Sequence, residues 1–294
     1  MNGKYIDINP YSIFFTPIEF IEASHGILAS LEFGLSIFVL VISYKILKES
    51  DIENIKIYGK ALKLIIPILF LSILLLGIFG INSADTLAQY QPVKYSTLEA
   101  NLNGNSNAPE NLFGIVTNNY TLIDSIQLPN LQSLLLYGSF NSNAAIPGIY
   151  ANESYTSSPN DITIAHNSFD IMAIFGLLIF FISLYGSISL IISKEDKKDK
   201  KITLNPKYTF YMNKLLLYGL ILLSVLSLIS LETGWVAAEV GRQPWTIYGI
   251  LLTMNAANLN PGVVPIAIAF ELIYIALFVL SIWAIKKYFV NKLG

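Results

Sequence analysis

Gly234-Trp235-Val236-Ala237-Ala238-Glu239-Val240-Gly241-Arg242-Gln243-Pro244-Trp245 follows an apolar run that reads as a membrane helix. A carboxylate, a guanidinium, an amide and two tryptophans crowd together where that helix leaves the bilayer. Ionisable groups at such a depth are expensive and mark function by default. An interfacial anchor accounts for Trp235, Trp245 and Arg242, because tryptophan prefers the membrane–water boundary and arginine snorkels to it. It does not account for Glu239 between them, nor for Gly241 and Pro244, which are expected to shape the turn.

The rest of the chain has the composition of a membrane protein: 54% of residues are hydrophobic and 13% are charged. Spanning a bilayer as a helix takes about 20 apolar residues. Five runs meet that length: 18–47, 62–81 with a kink expected at Pro67, 164–192, 211–235 and 261–287. The expected fold is an all-α polytopic bundle in three parts: 1–81, a long Asn-, Ser- and Pro-rich loop over 82–163, and 164–294. With no cysteine, disulfides, iron–sulfur clusters and thioether-linked haem are excluded. A net charge of −2 implies no nucleic-acid surface. The N-terminus lacks the basic region and cleavage site of a signal peptide.

Lysine placement sets the expected orientation. Lysines cluster after the first run (Lys48, Lys56, Lys60, Lys63), after the third (Lys194 to Lys201) and at the C-terminus (Lys286, Lys287, Lys292). These ends are expected inside, with the N-terminus and the long loop outside. The sequons Asn119-Tyr120-Thr121 and Asn152-Glu153-Ser154 fall in the outside loop and agree with this.

His25 is one of two histidines in the chain. Glu22, His25, Ala29, Glu32 and Ser36 follow helical spacing and share one face. Such a stripe faces a cofactor, a cavity or another helix rather than lipid. A histidine on a membrane helix is as often a hydrogen-bonding group between helices as a ligand. Met172 alone reads as packing. The expected topology puts His25, Met172 and Glu239 at similar depth, on three different helices.

These segments together resemble the larger subunit of cytochrome bd quinol oxidases. The stretch 234–245 is similar to the family's GRQPW segment, whose glutamate is the axial ligand of a high-spin haem b; the residue here is Glu239, flanked by Trp235 and Arg242. Ser24-His25-Gly26 through Lys48 resembles the helix that supplies a histidine to the low-spin haem b. Phe169-Asp170-Ile171-Met172 is similar to the family's Phe-Arg-Ile-Met, whose methionine is the second axial ligand. Gln91-Pro92-Val93-Lys94-Tyr95-Ser96-Thr97-Leu98-Glu99-Ala100 matches the start of the quinol-binding loop, which implies that Lys94 and Glu99 act together on quinol. Leu112-Phe113-Gly114-Ile115 and Gln127-Leu128-Pro129 continue the likeness.

The resemblance implies a multi-pass protein of the plasma membrane that passes electrons from quinol through haem b towards oxygen, which is reduced to water. It covers the second half of the family's subunit, so haem d is expected to be shared with a separate polypeptide carrying the N-terminal half. A smaller second subunit is a further expected partner. Asp170, where the family has arginine, is expected to lower the potential of the low-spin haem unless a cation compensates. Glu32 is expected to hydrogen-bond a neighbouring helix, with a proton relay as the sharper reading. Two competing functions remain: a secondary transporter, with Pro67, Pro244 and Pro265 breaking helices near Glu32 and Glu271, and a non-catalytic half retained for assembly.

Overall fold

The computed structural model describes residues 11, 15–140, 145–149, 157–192 and 210–290. The charge run at 194–201, the sequon at 152–154 and Lys292 lie outside the described residues. Five helices are long and apolar enough to cross a membrane. Four of them lie in a first compact unit, residues 1–244. They are α1 (Pro17–Lys48), α2 (Ile52–Tyr90), α5 (Pro159–Ile192) and α6 (Lys214–Gly241). Between α2 and α5 lie two short helices, α3 (Pro92–Leu98) and α4 (Leu131–Tyr137).

Helix ends follow capping chemistry. Thr16 accepts from the Glu19 amide and Pro17 opens α1; Asp51 accepts from the Glu53 amide at the start of α2. Asn213 accepts from the Leu215 and Leu216 amides at the start of α6. Each satisfies amides that have no partner inside the first turn. The second span is far longer than the expected 62–81. It begins at the Asp51 cap and continues through Pro67 to Tyr90. At 1.5 Å per residue its 39 residues are about 58 Å long, well beyond a hydrocarbon core of about 30 Å. The polar turns 82–90, expected to be loop, stay helical, and their Leu87 packs with Tyr95 and Leu98 of the loop region.

The four long helices pack in a ring: α1 on α2, α2 on α5, α5 on α6 and α6 on α1. Their core is the layer of Leu62, Ile66 and Leu69 from α2 against Leu216, Leu217, Leu220 and Leu223 from α6. Small residues allow close approach. A Cβ on Gly59 would lie 2.5 Å from the Tyr211 ring, so the bare glycine is the seat for that ring. Serines join α6 to α1: Ser224 Oγ donates to the Ser36 carbonyl, and Ser227 Oγ donates to Glu32 Oε1 at 2.6 Å. Such hydrogen bonds hold helices where apolar burial gives little drive between them.

The loop over the bundle is more structured than a loop. β1 (Glu110–Leu112) pairs antiparallel with β4 (Ile126–Leu128), and β2 (Ile115–Val116) with β3 (Leu122–Ile123). The two pairs are nested, so together they make one bent hairpin. The bend falls at Phe113, Gly114 and Asp124, all with positive φ.

Residues 245–294 form a second compact unit. It contains a small antiparallel hairpin, β5 (Trp245–Ile247) with β6 (Leu251–Leu252), and the fifth candidate span, α7 (Val263–Ala284), which ends in a π-turn over Ile285–Val290. Lys287 sits over the Trp283 ring, 4.5 Å from its centroid.

Candidate functional site

The face of α5 that meets the bent hairpin is set by sequence spacing. Thr163, His166, Asn167 and Asp170 recur at intervals of three and four and so share one side of a helix. They hold the main chain of 113–116. Asp170 accepts from the Phe113 amide. Asn167 accepts from the Gly114 amide at 3.2 Å and donates to the Gly114 carbonyl at 2.8 Å. Thr163 Oγ1 accepts from the Val116 amide at 2.9 Å. His166 is fully buried; its Nδ1 lies 2.7 Å from the Leu98 carbonyl, and its Nε2 faces the Phe113 carbonyl at 3.3 Å and Asp170 at 3.5 Å. Asp170 therefore binds the hairpin. The cation beside it is His166 if protonated, and no lysine approaches it among the described contacts.

Helix α3 is the bridge between hairpin and bundle. Leu98 rests on Gly241, where a Cβ would lie 3.0 Å from Leu98 Cδ2. Gly241 is thus the last residue of α6 and a packing seat, not a turn-former as expected from its neighbours. Lys94 is buried and its Nζ donates to Glu22 Oε1 at 2.7 Å. A buried ammonium requires such a partner. Glu22 lies one helical turn from His25 on α1.

Glu99 does not meet Lys94. It turns into a second, acidic group with Glu110 of β1, and burial together with the Glu110 charge holds its carboxyl well above the usual carboxylate range. Burial also raises Glu110. Burial pushes the neighbouring Tyr95 phenol up in turn. Gln132 of α4, 1% exposed, closes the group, with its amide facing Tyr95 and Glu99. Neither Glu110 nor Gln132 carries a signal in the sequence, because only the hairpin and α4 bring them to Glu99. The expected Lys94–Glu99 pair is replaced by two separate pairs, Lys94–Glu22 and Glu99–Glu110.

The expected haem ligands lie on three helices of the bundle. His25 on α1 is half-buried, with Nδ1 buried and unpartnered. A Cβ on Gly80 of α2 would stand 3.4 Å from its ring. Met172 on α5 has its Sδ against Gly234, 2.8 Å from where a Cβ would stand, and its carbonyl accepts from Ser230 Oγ at 3.1 Å. Glu239 is half-exposed in the last turn of α6, two residues before the helix ends at Gly241 rather than beyond it, and is paired with Arg242. Trp235 is 68% exposed, as a lipid- or interface-facing ring would be. Glu32 is buried and bonded to Ser227, the interhelical role expected of it.

Long apolar helices crowned by a folded loop that buries an acidic group define a polytopic membrane protein. The chain belongs to the cytochrome bd terminal oxidase subunit I family, whose model matches residues 1–293. It is similar to a putative cytochrome bd menaquinol oxidase subunit I of Bacillus subtilis (strain 168), 29% identical over 291 residues, covering 98% of this chain and 61% of that protein. It is also similar to cytochrome bd ubiquinol oxidase subunit 1 of the same organism, 25% identical over 283 residues, covering 92% of this chain and 55% of that one. Among solved structures, the bd oxidase from Geobacillus thermodenitrificans shares the fold, with a TM-score of 0.78 at 23% identity, over 99% of this chain and 62% of that chain. The chain spans somewhat over half the length of these relatives.

Proposed function

We propose that this chain is a haem-bearing subunit of a membrane quinol oxidase that takes electrons from quinol at the loop domain and passes them towards oxygen. The observation that carries the reading is the placement of α3. It sets Lys94 against Glu22, one turn from His25, and Glu99 in the buried acidic group against the helix of Met172. Quinol loses two protons and two electrons on oxidation, so a base beside an electron path is the arrangement required. Glu99 is that base. The Lys94 ammonium has three donors; Glu22 takes one and leaves others for a ring oxygen.

His25 and Met172 would hold a low-spin haem b, and Glu239 a high-spin haem b. The residues fit the group. The buried Nδ1 of His25 has no protein partner, and imidazole with thioether is a known axial set for electron-transfer haem. Among the described residues no three His, Asp or Glu side chains converge as in a protein-only metal site, which haem, needing only axial ligands, does not require. When bound, haem supplies one-electron transfer and, at an open iron position, the site for oxygen. Arg242 orients the Glu239 carboxylate, and its remaining donors suit a haem propionate; Trp235 beside them offers an apolar wall. The loop domain and N-terminus face outside and the C-terminus inside, as lysine placement supports. The similar proteins are named as subunits. The reading therefore includes at least one further subunit in the complex.

Reduced-minus-oxidised absorbance of the purified complex tests this. Wild type should show haem b bands. His25→Ala and Met172→Leu should each abolish the six-coordinate low-spin signal and leave the high-spin component. A normal low-spin signal in both variants refutes the ligand assignment. No haem bands in wild type refutes the oxidase and returns the transporter.

A further inference from the structure

We propose that Glu110 makes Glu99 one half of a carboxyl pair sharing a single proton, and that this pair accepts a proton from quinol and releases it to the polar cavity beside it. The inference rests on the reading of Glu99 as the quinol base and adds Glu110 as its positioning residue.

Three observations carry it. First, Glu99 and Glu110 are each 7% exposed, lie within hydrogen-bonding reach of one another, and each has a buried Oε2 without a partner. Two ionised carboxylates cannot bond to each other, since both are acceptors only. One proton between them satisfies both oxygens and removes one of two buried like charges. Second, the surroundings supply little positive charge. Asp170 and His166 face the pair from α5, Tyr95 from α3 and Gln132 from α4, with Tyr137 of α4 beyond Tyr95. His166 is the one potential cation among them and already spans the Leu98 carbonyl and Asp170. Third, the chain neighbours of both glutamates line one cavity of about 240 Å³. Ala100 and Asn101 follow Glu99, and Pro109 and Asn111 flank Glu110; Asn103, Asn105 and Gln127 complete an amide-rich wall. A site of that volume, with amide groups on its wall, has room for water. Asn111 donates towards the Glu99 carbonyl and accepts from Gln127, so the wall is bonded directly to the pair's main chain.

The step moves a proton only. The quinol O–H bond breaks, its electron pair stays on the ring oxygen, and a carboxyl O–H bond forms. The pair passes from one proton to two, and then returns one to cavity water. Because the groups are coupled, the two titrations belong to the pair rather than to either residue.

The test is a pH titration of the purified complex by infrared spectroscopy, which reads the protonated carboxyl stretch without quinol or turnover. Wild type should keep a protonated-carboxyl band well above the range of solvated acids. Glu110→Gln replaces a like charge with an amide donor, and both changes favour ionised Glu99. The band should then titrate lower by about one pH unit or more. The acid limb of kcat/KM for quinol rises as the base loses its proton, so it should move to lower pH by the same amount. Glu110→Asp, which keeps a carboxyl, should restore the band in part, and it takes the place of the amide variant if that variant does not fold. A band and a limb that stay put in Glu110→Gln, or a band absent from wild type, overturn the proposal. A band that shifts as expected in a protein without quinol oxidation leaves the pair standing and sinks the functional reading instead.

Discussion

Removing the Asp170 carboxylate should loosen the hairpin and leave the bundle intact. In Asp170→Ala the Phe113 amide loses its acceptor, and His166 loses the carboxylate beside its Nε2. A hydrogen bond to a charged group contributes about 1.5–3 kcal/mol, and a buried donor left unpaired costs a similar amount. Asn167 and Thr163 still hold Gly114 and Val116, so the segment opens locally rather than detaching. At 1.4 kcal/mol per tenfold, local opening should become roughly 10- to 100-fold more frequent. Hydrogen exchange by mass spectrometry on the protein in nanodiscs reads that frequency directly. Peptides covering 113–116 should exchange faster by that factor, and peptides from the α2–α6 core should not change. Asp170→Asn keeps an oxygen acceptor and should show a smaller effect. Unchanged exchange at 113–116 in the alanine variant would refute the docking role, and so would an equal rise across the core.

Two further outcomes follow from the bundle. Gly59→Ala drives a methyl into the Tyr211 ring; overpacking of this kind costs about 1–3 kcal/mol, so the thermal midpoint should fall, and an unchanged midpoint would show that the ring moves freely. Glu32→Gln keeps an acceptor for the Ser227 hydroxyl and should retain both stability and turnover; a loss of turnover at unchanged stability would mean that Glu32 carries protons.

Hydropathy made the five spans legible, because each is a long apolar run with few charges. It did not make their ends legible. Residues 82–90 are polar enough to read as loop, yet they stay helical because Leu87 is covered by Tyr95 and Leu98, and a tertiary cover leaves no mark on local sequence. The stripe on α1 was readable from spacing, and Glu32 and Ser36 are buried against α6 as such a stripe requires. The pairing of Lys94 and Glu99 was not readable. Their partners, Glu22 and Glu110, come from another helix and from a hairpin strand. Lys94 lies on the short helix α3 and Glu99 caps its end, so the two side chains meet different neighbours, and nearness in sequence is no guide to which.

The α5 face grips 113–116 by its amides and carbonyls. Those atoms belong to the main chain, so the clasp does not read the side chains at 113 and 115, whereas Gly114, with a φ of +138°, must stay glycine. Phe113 and Ile115 stand exposed on the clasped segment. They are open to exchange for other side chains, a reactive label or a bulkier ring, with the grip undisturbed. The segment is in effect a socket mounted on the membrane bundle, whose fittings can be changed without removing it.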